Sequence, residues 1–204
     1  MILYILNKTF LKKIYFKKWG KKWVKNKISP FLEFLEEGDT ILDVGSGNGL
    51  VSWELMQLGY KVIPLDIASQ EFDSTVKPIV YNGSRMPFED KKFDVALLLS
   101  VLHHTENPEE ILKEVGRVAK RIIINEDIYN NKFQKYLTLV TDSVVNLGYS
   151  PCPRTNKNDT LWKDTFLKFN YQLIDSKYNR ILFFFKQAIY HLKADNLNKK
   201  ILTN

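Results

Sequence analysis

Apolar and polar positions alternate with two different periods along the chain, and the switches between them mark out strands and helices. Residues 41–44 form a short apolar run that ends in a cluster of glycines. Residues 50–58 carry helical spacing through Leu50, Trp53, Leu55 and Leu58, and the pattern stops at Gly59. Residues 62–65 predict a second strand ending at Asp66, and residues 79–81 a short third one. Residues 93–99 are apolar almost without a break, as in a strand covered on both faces. Pro108 suits a first helical turn, and Ile111, Leu112, Val115 and Val118 give that helix its apolar stripe. Residues 121–125 predict the fifth strand, 131–147 a helix, 150–160 a polar loop and 161–169 a short helix. Two last strands, 171–177 and 181–192, follow with a turn near Asn179.

Alternation of this kind predicts an α/β fold: a doubly wound, Rossmann-like sheet of seven strands, mostly parallel. The final two strands have no helix between them, so they are expected as an antiparallel C-terminal hairpin at one edge. The expected organisation is a basic helical extension over residues 1–30 and one domain over 31–204, with 128–170 as a substrate-side insert.

Charge changes the picture only at the N-terminus. The net charge is +7, yet residues 1–27 hold nine lysines and no acid, and the rest is near neutral. A rough helical stripe runs through residues 3–24, including Trp19 and Trp23, with Gly20 weakening its middle. Such a helix either docks its aromatic face on the domain with its lysines in solvent, or offers a basic face to an anionic membrane or nucleic acid. No charged leader, cleavage site or 18-residue apolar stretch is found, so neither a signal peptide nor a membrane span is expected. A single cysteine, Cys152, allows no intramolecular disulfide and fits a reducing compartment, and the protein is expected in the cytoplasm or at a membrane surface.

The candidate chemistry sits in the turn Asp43-Val44-Gly45-Ser46-Gly47-Asn48-Gly49. In doubly wound folds ligands bind beyond the carboxyl ends of the strands, and glycines let the backbone approach a ligand closely. The dinucleotide pattern Gly-x-Gly-x-x-Gly would need glycine at position 50, which is Leu50. Asp43 would also repel a pyrophosphate while suiting an ammonium group. Asp66 ends the second strand, where a carboxylate can accept both hydroxyls of a ribose. The pattern therefore favours a nucleoside carrying an amino acid over an NAD-type dinucleotide.

The string ILDVGSGNGLVSWEL resembles the first motif of class I S-adenosylmethionine-dependent methyltransferases of the small-molecule type. Asn82-Gly83-Ser84-Arg85-Met86-Pro87-Phe88 and FDVALLLSVLHHTENPEEILKEVGRVAK are similar to later segments of that family, in the same order. The resemblance implies S-adenosyl-L-methionine as cofactor, no metal, and a methyl transfer reaction. It implies that Asp43, Gly45, Ser46, Gly47, Asn48 and Gly49 hold the methionine part and Asp66 the ribose. Ile67 would pack near the adenine, with Asn82 and Gly83 beside it. Asn82 replaces the family's usual aspartate and keeps an amide oxygen as acceptor, and Ser100 approaches the cofactor by its backbone. The Pro-Gly-Gly that often precedes the fifth strand is missing here, where Lys120 leads straight to Arg121.

His104, just past the fourth strand, matches a histidine common in the family's broad group and could serve as general base. Alternatively it orders the loop before Pro108. Glu126 and Asp127, at the end of the fifth strand, could bind a cationic acceptor or orient a base. Leu99-Ser100-Val101-Leu102 stands where exocyclic-amine methyltransferases carry Asn/Asp-Pro-Pro-Tyr/Phe, and Cys152 lies too far along to act on carbon 5 of cytosine. The acceptor expected is thus a small or lipid-like molecule. RNA methylation with a lysine-rich arm, and a non-catalytic cofactor-binding relative, stay open beside it.

Overall fold

The computed structural model describes residues 20–131, 134, 155–181 and 185–194. Cys152, with most of the predicted 131–147 helix and residues 1–19, lies outside them. Seven strands form one sheet in the order β3-β2-β1-β4-β5-β7-β6. They are β1 (Thr40–Val44), β2 (Lys61–Asp66), β3 (Ile79–Val80), β4 (Phe93–Leu99), β5 (Ala119–Ile128), β6 (Tyr171–Ile181) and β7 (Phe185–Ala194). The first five are parallel, and β7 joins both β5 and β6 antiparallel. The expected α/β architecture, C-terminal hairpin included, is what the chain adopts.

Helices cover both faces: α1 (Lys21–Ile28), α2 (Leu50–Gln57), α3 (Pro108–Val118) and α4 (Asp159–Lys168). Alternation along each strand splits the apolar residues between two cores. Leu42, Val44, Ala96, Leu98, Ile122 and Ile124 meet α3 and α4 through Leu112, Val115, Trp162 and Phe166. Ile41, Val95, Leu97 and Ile123 meet α1 and α2 through Val24, Ile28, Leu50 and Leu55 on the other face. Among the described residues no helix is long and apolar enough to cross a membrane.

Three local expectations shift. The hairpin strands run past Asn179, which pairs with Gln187 inside the ladder, so the turn falls beyond Ile181. Helix α4 starts earlier than expected, at Asp159, because the Asn158 side chain accepts the Leu161 N–H at 2.8 Å and caps it. On α1 it is Val24 and Ile28 that are buried, whereas Trp23 is 52% exposed. Helix α3 passes directly into β5, Ala119 serving as the last cap, which accounts for the missing Pro-Gly-Gly turn.

At the amino ends of the parallel strands, Arg121 closes the sheet's lower rim. Its guanidinium reaches both oxygens of buried Asp39 at 2.7 and 2.8 Å and the Phe34 carbonyl at 2.9 Å. Removing one partner strands a buried charge. Arg121→Met should therefore cost about 2–3 kcal/mol, somewhat less than for a fully enclosed pair. Urea unfolding measures it, and a loss under about 0.5 kcal/mol, as for a surface pair, would show that the pair merely breaks even.

Candidate functional site

The strand order reverses between β1 and β4, and the glycine turn lies at that switch point, beyond the carboxyl end of β1. The turn is folded back onto β2: Gly45 and Ser46 donate their N–H groups to the Leu65 carbonyl at 2.8 and 3.2 Å. Gly47 donates to Asp66 Oδ2 at 2.7 Å, and Ala68 to Asp66 Oδ1 at 3.2 Å. Asp66 thus locks the turn, and each oxygen keeps a further lone pair for a ligand. Asn48 Oδ1 accepts the Leu50 N–H at 3.1 Å and so begins α2.

Glycine is required at two of these positions by space as well as by conformation. At Gly45, φ is +68° and a Cβ would lie 2.7 Å from Val101 Cγ2. At Gly49, φ is +79° and a Cβ would lie 2.6 Å from Val76 Cγ2. The turn is therefore pressed between the loop after β4 and the short turn before β3. At Gly47 a Cβ would meet nothing within 4 Å, so that side is open.

A cavity of about 180 Å³ opens beside the turn, lined by Trp23, Lys27, Asp43, Gly45, Ser46, Gly47, Asn48, Val51 and Leu99. Asp43 is 3% exposed, and its carboxylate accepts the Ser52 hydroxyl at 2.6 Å. Burial pushes its pKa up to about 6, against the opposing pull of Ser52 and of Lys27, with Asp66 adding to the rise. The Ser46 Oγ is buried without a hydrogen-bond partner among the described residues. Lys27 and Trp23 come from α1 and were not anticipated as site residues. Their helical spacing, four residues apart, was the available signal.

Across a ledge from the cavity, Ile67 is 65% exposed and faces Gly83, whose Cβ position lies 3.4 Å from Ile67 Cγ2. Asn82 does not present its amide oxygen as expected: Oδ1 accepts both the N–H and the hydroxyl of Ser84, at 3.1 and 3.0 Å, closing a local turn. Arg117 secures the segment by donating to the carbonyls of Met86 and Phe88 at 3.0 and 2.7 Å.

On the opposite wall, Ser100 takes a left-handed conformation (φ +63°) and donates its N–H to the Asn125 carbonyl at 2.7 Å. Glu126 is fully buried, which corrects the expectation that it meets an acceptor. Its Oε1 accepts the Val101 and Leu102 N–H groups at 2.9 and 2.8 Å, and its Oε2 is in close contact with Nδ1 of His103. Glu126 therefore positions the loop that presses on Gly45, and the imidazole it orients is that of His103. Thr155 adds a second tie, donating to the Leu102 carbonyl at 3.1 Å.

His104 packs against His103 with ring centres 4.0 Å apart and the rings tilted by 46°. Its Nδ1 is buried and has no hydrogen-bond partner among the described residues. Burial, with help from His103 and Lys27 and against Glu126, lowers its pKa to about 4, so the ring is neutral near pH 7. Among the described residues no group of His, Cys, Asp and Glu side chains could hold a metal ion.

A family model described as a methyltransferase domain matches residues 42–122, from β1 into β5. A ubiquinone biosynthesis O-methyltransferase of Rickettsia bellii is 28% identical over 121 residues, covering 54% of this chain and 50% of that protein. A sterol 4-C-methyltransferase of Caenorhabditis elegans is 29% identical over 116 residues, covering 50% and 35%. Residues 42–122 are a methyltransferase domain, and the chain is similar to the class I S-adenosylmethionine-dependent methyltransferases. It spans half or less of the length of these two curated relatives. The solved magnesium protoporphyrin IX methyltransferase of Synechocystis, which holds S-adenosylhomocysteine, shares the fold at a TM-score of 0.62 and 15% identity, covering 91% of this chain and 88% of that one.

The cofactor of this methyltransferase family is S-adenosylmethionine, and the residues present fit it. A buried carboxylate with a single neutral donor and an unsatisfied Ser46 hydroxyl line a cavity of the size of an amino-acid end. Asp66 and the Ile67–Gly83 ledge lie beside it for the ribose and base. The charge on Asp43 costs the folded apo-protein stability above about pH 6, a cost that fades as the pH falls through that value. Cofactor binding runs the other way, because an ammonium needs the ionised carboxylate. Affinity for S-adenosylhomocysteine should thus drop about tenfold between pH 7.5 and pH 5, the fall expected one unit below the pKa. Calorimetry across this range checks it, and Asp43→Asn should bind weakly at both ends; a flat profile in the unaltered protein would exclude Asp43 as the ammonium's partner.

Proposed function

We propose that the protein transfers a methyl group from S-adenosylmethionine to a hydroxyl of a small or lipid-like acceptor, with His104 as the base. When bound, the cofactor supplies a methyl group on a positively charged sulfur, open to attack by an acceptor lone pair. The observation that carries the proposal is His104: a neutral imidazole five residues beyond the cavity-lining Leu99, whose Nδ1 has no hydrogen-bond partner among the described residues. Asp43 and the glycine turn hold the cofactor's amino-acid end, Asp66 its ribose. Proximity then supplies much of the rate, as holding two reactants together removes the entropy of their encounter.

A neutral ring accepts the hydroxyl proton as the new bond forms. The low pKa keeps the ring unprotonated far below the usual histidine range and makes it a weaker base, so that its placement beside the acceptor has to supply the rest. Glu126 and His103 lie behind it and hold the loop, so the imidazole does not depend on a charged partner of its own. The two curated relatives, named for ubiquinone biosynthesis and for a sterol, support an acceptor with an apolar body. A further relative from Nautilia profundicola is a tRNA U34 carboxymethyltransferase, which keeps RNA as a second reading alongside the lysines of residues 1–27.

Transfer of a radiolabelled methyl group to a panel of phenols, sterols and bulk tRNA distinguishes the two. Label on a phenol or sterol supports the proposal, and label on tRNA alone replaces it. With an acceptor in hand, His104→Gln should lower kcat by about 10²–10⁴, the usual contribution of a general base, with S-adenosylhomocysteine affinity nearly unchanged. At saturating cofactor the acid limb of kcat should lie near pH 4, not near pH 6.5. An unaltered kcat in His104→Gln would remove the base from the mechanism.

A further inference from the structure

Lys27 differs from the other lysines of the basic N-terminal segment that the structure describes. It lines the cavity beside Asp43, while Lys21, Lys22 and Lys25 are exposed on α1. Among the residues that line the cavity, the charged ones are Lys27 and Asp43. Its ammonium forms no ion pair within 4 Å among the described residues, in contrast to Lys120, Lys163 and Lys168, each of which has a carboxylate at 2.7–2.9 Å. The neighbour it does have is the Trp23 ring, 5.1 Å from Nζ. Burial works against its charge, and the acids acting on it, Asp43, Asp127 and Glu126, do so from a distance. A cation withdrawn from water without a hydrogen-bonded partner is costly, and that cost is recovered when an anion arrives.

The amino-acid end of the cofactor carries one positive and one negative group. Asp43 answers the first. The other polar residues lining the cavity, Ser46 and Asn48, are uncharged, so without Lys27 its field would be that of a buried carboxylate and would repel the second. We propose that Lys27 binds the α-carboxylate of the cofactor, so that Lys27 and Asp43 form a two-charge clasp for the zwitterionic end. The residues matched by the family model begin at 42, so this half of the clasp comes from outside the matched domain, on a helix that the sequence pattern marked as an extension. It follows that α1 is a cofactor-binding element, and that whatever engages the neighbouring lysines is linked to cofactor occupancy.

This inference rests on the cofactor reading above, and the test separates the two. Calorimetry is run on the full chain with S-adenosylhomocysteine and with S-adenosyl-3-thiopropylamine, which keeps the ammonium and lacks the carboxylate. The unaltered protein should bind the first about 10- to 100-fold more tightly, the range for a hydrogen bond between charged groups. In Lys27→Met that gap should close, through loss of S-adenosylhomocysteine affinity alone, while Lys27→Arg should keep most of it. Thermal unfolding of each variant confirms that the fold is intact. Equal losses for both ligands in Lys27→Met would make Lys27 a packing residue and overturn the proposal. Tighter binding of S-adenosylhomocysteine by Lys27→Met would also overturn it, showing that Lys27 competes for Asp43 as a plug. If the unaltered protein binds neither ligand, it is the cofactor reading that fails.

Discussion

The site depends on one hydrogen bond, from the Gly47 N–H to the Asp66 carboxylate. It joins the turn after β1 to the end of β2, two segments that would otherwise diverge beyond the sheet. With Gly45 and Ser46 already bonded to the Leu65 carbonyl, the turn has little freedom left. Glycine at 45 and 49 then allows Val101 and Val76 to close in from either side. The result is a backbone held in a left-handed course while still facing open space at Gly47. A ligand can therefore approach the main chain without any rearrangement of side chains, which lowers the entropy lost on binding.

Buried charge is handled differently at the two ends of the sheet. At the lower rim both oxygens of Asp39 meet one nitrogen of Arg121, and the guanidinium also pairs with Glu36 at 3.0 Å, so the buried carboxylate faces a full opposite charge. At the upper rim the acids are satisfied by neutral donors: Asp43 by a serine hydroxyl, Asp66 by two backbone amides and Glu126 by two more. Neutral donors stabilise a carboxylate without cancelling its charge. The upper rim therefore keeps carboxylate charge for the cationic group of a ligand, with Lys27 beside Asp43 as its positive counterpart, whereas the lower rim serves only the fold. Asp43 and His104, both shifted chiefly by burial, lie at this same rim, as expected where desolvation is arranged for function.

Much of this could be read from the chain because the signals were local. Strand runs such as 93–99, the proline at 108 and the glycine spacing at 45, 47 and 49 each act over a few residues. The acid at 66 was legible as a ribose partner but not as the lock on Gly47, since that bond spans nineteen residues. Glu126 looked available because it ends an apolar strand; only the loop from β4, folding back over it, shows that its oxygens are spent. Asn82 likewise kept its acceptor on paper and gives it to Ser84 in the fold. Lys27 was hidden among nine lysines, because charge patterning reports a face of a helix and not the cavity that one residue of it enters.

The most direct test of the account is a titration of the purified protein with S-adenosylhomocysteine, with NAD as the control. The site described here, with a buried acid where a pyrophosphate would have to lie and a carboxylate locking the glycine turn, predicts saturable one-to-one binding of S-adenosylhomocysteine and none of NAD. Binding of NAD in its place, or of neither at neutral pH, would contradict the assignment of the glycine turn and of Asp66.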